Sequence, residues 1–201
     1  YVYRRGGATF SRTQKLIHSD PAPDALGQSL AFDGNSILAG APAKNSARGA
    51  AYVFASVRPN AQKIFDPTGE GDDYFGISTA TSGDTLVIGA QQDDNGPNGG
   101  NQGSASVYVR NASGVWTLQQ KLLASDGVGG DFFGASVAIS GDTLVVGAFF
   151  EDSGTTNNQG AAYVFTRTGT TWTQRTVRGR APDHFAVGHR FRARVGLPVA
   201  E

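Results

Sequence analysis

The chain has 201 residues, enough for one domain that buries roughly 70% of the surface its unfolded form exposes. It has no cysteine, so disulfide frameworks are excluded, and its 17 basic and 17 acidic side chains balance, which argues against general electrostatic capture of nucleic acid. Glycine, at 28 residues, is about twice as frequent as usual, but aromatic residues reach 10%, so the glycines indicate turns between strands rather than disorder.

The first predicted elements are two short strands near the start of the chain. Residues 1–5 read Tyr-Val-Tyr-Arg-Arg, and a second aromatic and β-branched segment runs from residue 9 to residue 17. Both match the third and fourth strands of units that recur further along. Residues 1–17 therefore predict half of a four-stranded unit.

Three copies of one pattern follow, at residues 26–41, 75–90 and 133–148. Each copy ends in Gly-Ala, and the second and third begin with Phe-Gly where the first has Leu-Gly. A polar loop, a tyrosine-containing strand and a closing strand come after each copy. The copies start 49 and 58 residues apart, a period typical of propeller blades and solenoid repeats.

The pattern inside each unit decides between these architectures. Four short runs rich in β-branched and aromatic residues alternate with Ser-Gly-Asp and Asn/Gly turns, which predicts four antiparallel strands. No segment sustains the 3.6-residue period of a helical solenoid. We therefore predict an all-β protein, a β-propeller of four-stranded antiparallel blades in a single domain over residues 1–201, with complete blades at residues 26–64, 75–122 and 133–177.

Two arrangements of the chain ends are open. Residues 178–201 form a divergent tail that lacks the repeated Ser-Gly-Asp-Thr-Leu-Val segment. If this tail pairs with residues 1–17, the two ends share a fourth blade and close a ring. The alternative is a half-propeller that is completed by dimerisation, since unpaired edge strands favour pairing with another chain.

The paired Phe-Gly and Gly-Ala dipeptides, followed by Gly-Ala-Ala-Tyr-Val-Phe, resemble the FG-GAP repeat family over residues 1–177. This is the blade sequence of integrin α-subunit propellers and of many secreted bacterial proteins. The resemblance implies a propeller that is extracellular or at the cell surface and serves adhesion or ligand binding. In the integrin-type repeat a calcium loop separates the two dipeptides, but residues 140–143 are too few to donate six oxygens, so that role is not carried over.

The longest polar loops supply the candidate site residues. In a four-stranded blade, the loops between the second and third strands emerge on the same face as the links to the next blade, which places most acidic residues on one face. The candidates for contact with a partner are Asp93, Asp94, Phe149, Phe150, Glu151 and Asp152. The alternatives are that the acidic residues build solvated turns and that the two phenylalanines are buried between blades.

A metal role is open for part of this set. Asp93, Asp94, Glu151 and Asp152 are weak candidates for calcium ligands, because carboxylate oxygens suit that ion, although their spacing matches no known ion loop. We expect no other cofactor. No apolar run approaches the roughly 20 residues that a membrane helix requires, so we also expect no membrane insertion.

Catalytic patterns are poor in this sequence. The three histidines, His18, His184 and His189, adjoin no nucleophile motif, and no Gly-x-Ser-x-Gly segment occurs. We therefore predict a protein that is not an enzyme and that binds an extracellular protein or glycan. A self-assembling structural fragment, present as a homodimer, is the alternative, and a hydrolase is third.

Recurring aromatic residues receive a structural interpretation. Trp116 and Trp172 occupy one place in their units, with Phe10 as the earlier equivalent. Tyr52, Tyr108 and Tyr163 lie on the third strands. Because a packing position repeats with the fold, we predict that these side chains pack between blades.

Overall fold

The computed structural model describes residues 1–18, 24–55, 61–94, 100–152 and 158–175, and the predicted closing tail at residues 178–201 lies outside them. The regular secondary structure of these residues is almost entirely β-strand, so the predicted all-β class is confirmed. In chain order the elements are β1 (Val2–Gly6), β2 (Thr9–Gln14), β3 (Leu30–Phe32), β4 (Ser36–Ala41), the single turn α1 (Lys44–Ala47), β5 (Ala50–Ala55), β6 (Gln62–Ile64), β7 (Ser78–Ser82), β8 (Thr85–Ala90), β9 (Ser104–Arg110), β10 (Trp116–Leu122), β11 (Phe133–Ser140), β12 (Thr143–Ala148), β13 (Ala161–Thr168) and β14 (Thr171–Arg175).

The strands form three antiparallel four-stranded sheets, each from four consecutive strands. Sheet 1 contains β3–β6, sheet 2 contains β7–β10 and sheet 3 contains β11–β14, while β1 and β2 form a separate hairpin. Tight turns join the first two strands of sheets 2 and 3, where Ser82 pairs with Thr85 and Ser140 with Thr143. These are the short hairpins that the Ser-Gly-Asp-Thr segments predict.

Successive sheets pack face to face through apolar side chains. Leu38 and Val53 of sheet 1 share one core cluster with Leu86 and Ile88 of sheet 2. The opposite face of sheet 2 contributes to a second cluster with sheet 3. Strand β8 is therefore buried along its whole length, as expected for a strand covered on both faces.

Close backbone approach explains the repeated Gly-Ala dipeptide. The Ser29 hydroxyl donates to the Gly76 carbonyl at 2.8 Å, and the Ser78 hydroxyl donates to the Gly134 carbonyl at 2.7 Å. A Cβ on Gly89 would lie 2.0 Å from that Gly134 oxygen. Only glycine allows the first strand of one sheet to approach the second strand of the sheet before it.

The recurring aromatic residues have different fates. Trp116 and Trp172 are buried in the two core clusters, which confirms the packing prediction for both. Phe10 is 68% exposed, so it does not share that role, because β2 is exposed along its length. Tyr108 and Tyr163 are buried in the clusters shared by two sheets, which confirms the packing prediction for them. Tyr52 instead packs in a cluster of sheet 1 and stacks on His18.

Candidate functional site

A junction is defined here as the segment before the first strand of a sheet together with the loop after its second strand. In the junctions of sheets 2 and 3 a buried aspartate accepts a backbone hydrogen bond within the segment before the first strand. The Asp73 carboxylate accepts the Glu70 N–H at 2.6 Å, and the Asp131 carboxylate accepts the Val128 N–H at 2.7 Å. These two aspartates are therefore parts of the repeated fold.

The same aspartates tie the two halves of each junction together through their backbone. The Gln92 N–H donates to the Asp73 carbonyl at 3.3 Å, and the Phe150 N–H donates to the Asp131 carbonyl at 3.3 Å. The matching bond in sheet 1 runs from the Ala43 N–H to the carbonyl of Asp24 at 3.2 Å. These bonds align the three junctions residue by residue.

The junction of sheet 2 contains a buried ion cluster around Lys121. The Lys121 ammonium lies 2.9 Å from the carboxylate of Asp66 and 2.5 Å from that of Asp93. The Ser104 hydroxyl donates a further hydrogen bond to Asp93 at 2.5 Å. One lysine thus links strand β10 with the loop after β8 and with the segment before β7.

The pKa values of this cluster follow from burial and from the ion pairs. Burial alone would raise the pKa of Asp66, but hydrogen bonds from Lys121 and Thr68 outweigh it, and the pKa of Asp66 is lowered. Burial would lower the pKa of Lys121, but its bonds to Asp93 and Asp66 outweigh burial and raise the pKa. The pair is therefore held in its charged form.

Asp73 behaves differently because the Lys121 ammonium contacts Asp66 and Asp93 and acts on Asp73 only through its charge. Burial raises the pKa of Asp73 to about 6, and the charges of Asp93 and Asp94 add to the rise, although the Glu70 hydrogen bond and the charge of Lys121 oppose it. The carboxylate oxygens of Asp73, Asp93 and Asp94 lie within 4.8 Å of one another. Close like charges favour the protonated form of one of them.

Within the described residues, this trio matches a calcium site poorly. Calcium takes about six to eight oxygen ligands, and one of the three carboxylates here is already paired with an ammonium. Asp93 is 1% exposed and its carboxylate already contacts Lys121 and Ser104, so an ammonium supplies the compensating charge. The structure therefore places Asp93 inside the protein as support for its loop, while the neighbouring Asp94 faces solvent.

The junction of sheet 3 carries a surface cluster of aromatic rings. Phe149 is 49% and Phe150 39% exposed, so the two side chains are not buried between sheets. Their ring centroids lie 4.5 Å apart, and the ring of Phe132 stacks on Phe149 at 5.3 Å. We call Phe132, Phe149 and Phe150 the phenylalanine cluster.

Acidic side chains border the phenylalanine cluster. Glu151 and Asp152 follow directly in sequence, and Asp152 is exposed. Burial raises the pKa of Glu151, and the charges of Asp126, Asp131 and Asp152 raise it further. The structure thus brings together four of the predicted site residues, and it adds Phe132, which comes from the segment before β11.

The phenylalanine cluster is specific to sheet 3. The backbone bonds that align the junctions place different side chains at the three equivalent positions of each sheet. These are Ala25, Pro42 and Ala43 in sheet 1, Tyr74, Gln91 and Gln92 in sheet 2, and Phe132, Phe149 and Phe150 in sheet 3. The fold therefore does not require phenylalanine at any of them.

Two functional-site features escape sequence reasoning. Phe132 lies 17 residues before Phe149, and the two segments meet through the pairing of Phe133 with Ala148 and the bond between Phe150 and Asp131. Lys121 has a counterpart in the Gln-Lys dipeptide at Lys63, so the sequence gives it no distinctive signal. Its role depends on Asp66 and Asp93, which are distant in sequence.

One histidine, His18, lies within the described residues. His18 pairs with the carboxylate of Asp24 at 2.5 Å and stacks on Tyr52 with the ring centroids 4.2 Å apart, so its ring covers the side of sheet 1. His184 and His189 lie outside the described residues. Among the helices of the described segments, none has the length and apolar character needed to span a membrane.

Comparison with known proteins agrees with this repeated architecture. A family model described as the FG-GAP repeat matches residues 10–54, 60–108 and 116–165, which together make up well over half of the chain. The match confirms the resemblance carried by the Phe-Gly and Gly-Ala dipeptides. Among curated proteins, none matches the chain.

Proposed function

We propose that this chain, which belongs to the FG-GAP repeat family, is a noncatalytic binding module of propeller type that acts outside the cell or at its surface. Its three four-stranded sheets are the propeller blades. The observation that carries the proposal is the exposed phenylalanine cluster with its acidic border. A cluster that the other two sheets lack serves a purpose beyond holding the repeat together.

The partner that this surface fits best is a protein segment with apolar and basic side chains. Apolar centres with polar rims are typical of protein interfaces, and aromatic residues are enriched among the side chains that dominate binding energy. Glu151 and Asp152 supply negative charge beside the rings, which favours lysine or arginine on the partner. The module thus recognises a basic, partly apolar surface.

The ring geometry favours a protein over a glycan. The rings of Phe149 and Phe150 are inclined at 52°, and one face of Phe149 is covered by Phe132 at an interplanar angle of 12°. A sugar stacks best on a flat, open ring face. Inclined rings instead form a notched surface that suits aliphatic side chains and the stem of lysine or arginine.

The test compares two double variants at equivalent positions. Phe149→Ser/Phe150→Ser removes the rings, and Gln91→Ser/Gln92→Ser changes the matching residues of sheet 2 as the control. Binding to immobilised extracellular matrix proteins and to a glycan array is measured by interferometry. We expect protein binding that weakens with salt and that falls at least about tenfold in the phenylalanine variant only.

Several results would contradict the proposal. Equal binding by wild type and the phenylalanine variant would remove the cluster from the site. Binding to glycans alone would replace the protein partner with a sugar. Turnover of any substrate in a panel of esters and glycosides would show a hydrolase. Because Lys121 already pairs with two carboxylates of the sheet 2 cluster, we also expect calcium and chelator to leave binding unchanged.

A further inference from the structure

Each sheet turns one face, here named its trailing face, toward the sheet that follows it in the chain. On sheet 2 this face carries Val87 and Val107, which pack into the core cluster shared with sheet 3. It also carries Ser78, whose hydroxyl donates to the Gly134 carbonyl, and Gly89, which leaves room for that carbonyl. These features define how one sheet binds the next.

The trailing face of sheet 3 repeats this surface position for position. In the strand register both sheets present serine, alanine, valine, glycine, alanine and valine at the six equivalent places. On sheet 3 they are Ser136, Ala138, Val145, Gly147, Ala162 and Val164. A complete binding surface for a further sheet is therefore present.

Within the described residues, this surface is not covered as its counterparts are. Ser78, Val87, Gly89 and Val107 of sheet 2 are buried, whereas all six residues of sheet 3 are only half-buried. The three atoms nearest to a Cβ on Gly147 would all belong to Ser136 in its own sheet. At Gly89 the Cβ would instead strike the backbone of the following sheet.

A matching partner surface is exposed on sheet 1. Its first strand presents Leu30 and Phe32, which are 65% and 67% exposed. The equivalent residues of sheet 3, Val137 and Ile139, pack against sheet 2. Just before this strand, Gly27 has φ +92°, close to the values of +94° and +91° at Gly76 and Gly134, which contact the preceding sheet. We name this surface the leading face of sheet 1.

The sequence after residue 175 is a poorer partner for sheet 3. It contains no Phe-Gly or Leu-Gly dipeptide, and its nearest match, residues 183–186, reads Asp-His-Phe-Ala. At the equivalent glycines, Gly76 and Gly134, a Cβ would lie 2.4 Å and 2.0 Å from a backbone oxygen of the preceding sheet. Alanine is therefore incompatible with this mode of contact, whereas Leu26-Gly27 satisfies it.

We propose that the trailing face of sheet 3 binds the leading face of sheet 1 of a second copy of this chain. A two-fold axis repeats the contact, so that both faces of both copies are covered and the pair closes on itself. Each copy has three four-stranded sheets, and the combined number for two copies falls within the roughly four to eight blades known for propellers. The interface between copies is of the same kind as the two within one chain, where sheet 1 packs on sheet 2 and sheet 2 packs on sheet 3.

Light scattering on the full chain over a dilution series tests this arrangement. Val145→Arg blocks the trailing face, Phe32→Arg blocks the leading face, and Leu118→Arg changes an exposed aliphatic residue on β10 as the control. We expect wild type and the control to have twice the mass of one chain, and each blocked variant to have the mass of a single chain. Circular dichroism checks that each variant keeps its strands, and Ala162→Arg is a second trailing-face block.

Mixing the two blocked variants distinguishes a head-to-tail contact from a contact between like faces. Because each keeps one intact face, the head-to-tail contact predicts that an equimolar mixture forms a two-chain species that neither variant forms alone. A single-chain mass for wild type would overturn the proposal. So would a two-chain Phe32→Arg variant beside a single-chain Val145→Arg variant, since trailing faces would then bind each other.

The proposal is independent of the phenylalanine cluster, which lies on the loops of sheet 3 and not on its trailing face. Phe149→Ser/Phe150→Ser is therefore expected to keep the two-chain mass. A loss of partner binding without a change of mass would separate the two surfaces. A change of mass in this variant would contradict the assignment of the interface.

Discussion

Gln120 and Trp172 are joined by two reciprocal hydrogen bonds. The Gln120 side-chain amide donates to the Trp172 backbone carbonyl at 2.9 Å and accepts a hydrogen bond from the Trp172 backbone N–H at 2.8 Å. The same pair of bonds joins Gln62 to Trp116, at 2.9 Å and 3.0 Å. A glutamine on the outer strand of one sheet thus pairs with the outer strand of the next, where no continuous ladder exists.

Replacing this glutamine tests the contact. Gln120→Leu keeps the volume but removes both bonds and leaves two partly buried backbone groups without them, so we expect a loss of about 1 to 3 kcal/mol in the free energy of unfolding. Gln28→Leu, at an exposed position, is the control. Urea unfolding curves measure both variants, and equal stability of the two would contradict the role of Gln120.

Replacing Lys121 is expected to destabilise the protein strongly. Lys121→Met leaves Asp66 and Asp93 buried without their cation, which costs about 3 to 5 kcal/mol of unfolding free energy. Changing both aspartates to asparagine in the Lys121→Met background removes the uncompensated charges. Thermal and urea unfolding should show that this triple variant regains most of the loss, and a triple variant weaker than Lys121→Met would refute the charge argument.

The raised pKa of Asp73 predicts that its contribution to the free energy of unfolding falls as the pH rises. Its pKa is about 6 in the folded protein, against 3.8 as the ordinary value, so the folded state retains the proton over this range. The resulting stabilisation is complete below about pH 3.8 and is lost as the pH rises through about 6. The free energy of unfolding of wild type minus that of Asp73→Asn should therefore rise from pH 7.5 to pH 5, and a constant difference would contradict the burial of an ionisable Asp73.

Gly89→Ala tests the close approach of sheets 2 and 3. The added Cβ would lie 2.0 Å from the Gly134 oxygen, so the sheets must separate, and we expect a loss of at least about 1 to 3 kcal/mol. Gly6→Ala is the matched control, because no atom lies within 4 Å of its added Cβ. Calorimetry distinguishes the two, and a Gly89→Ala variant as stable as Gly6→Ala would show that the sheets are not held this closely.

The repeats made the strands predictable, but the side-chain contacts depended on register and on distant segments. The short Ser-Gly-Asp-Thr turns and the Phe-Gly dipeptides are local signals, so the sheets follow from them. Tyr108 looks equivalent to Tyr52 in sequence, yet pairing with Leu86 places it with Phe54. Asp93 looks like a solvated loop residue, and its burial is explained by contacts with Ser104 and Lys121, which lie later in the chain.

Crosslinking between copies is the most direct test of the shared sheet-to-sheet interface. The chain has no cysteine, so Val145→Cys and Phe32→Cys each introduce a single thiol. With a short bismaleimide, a mixture of the two variants should give a covalent pair that joins one variant to the other, whereas neither variant alone should crosslink. Crosslinking of Val145→Cys with itself, or none in the mixture, would contradict the use of one interface within and between copies.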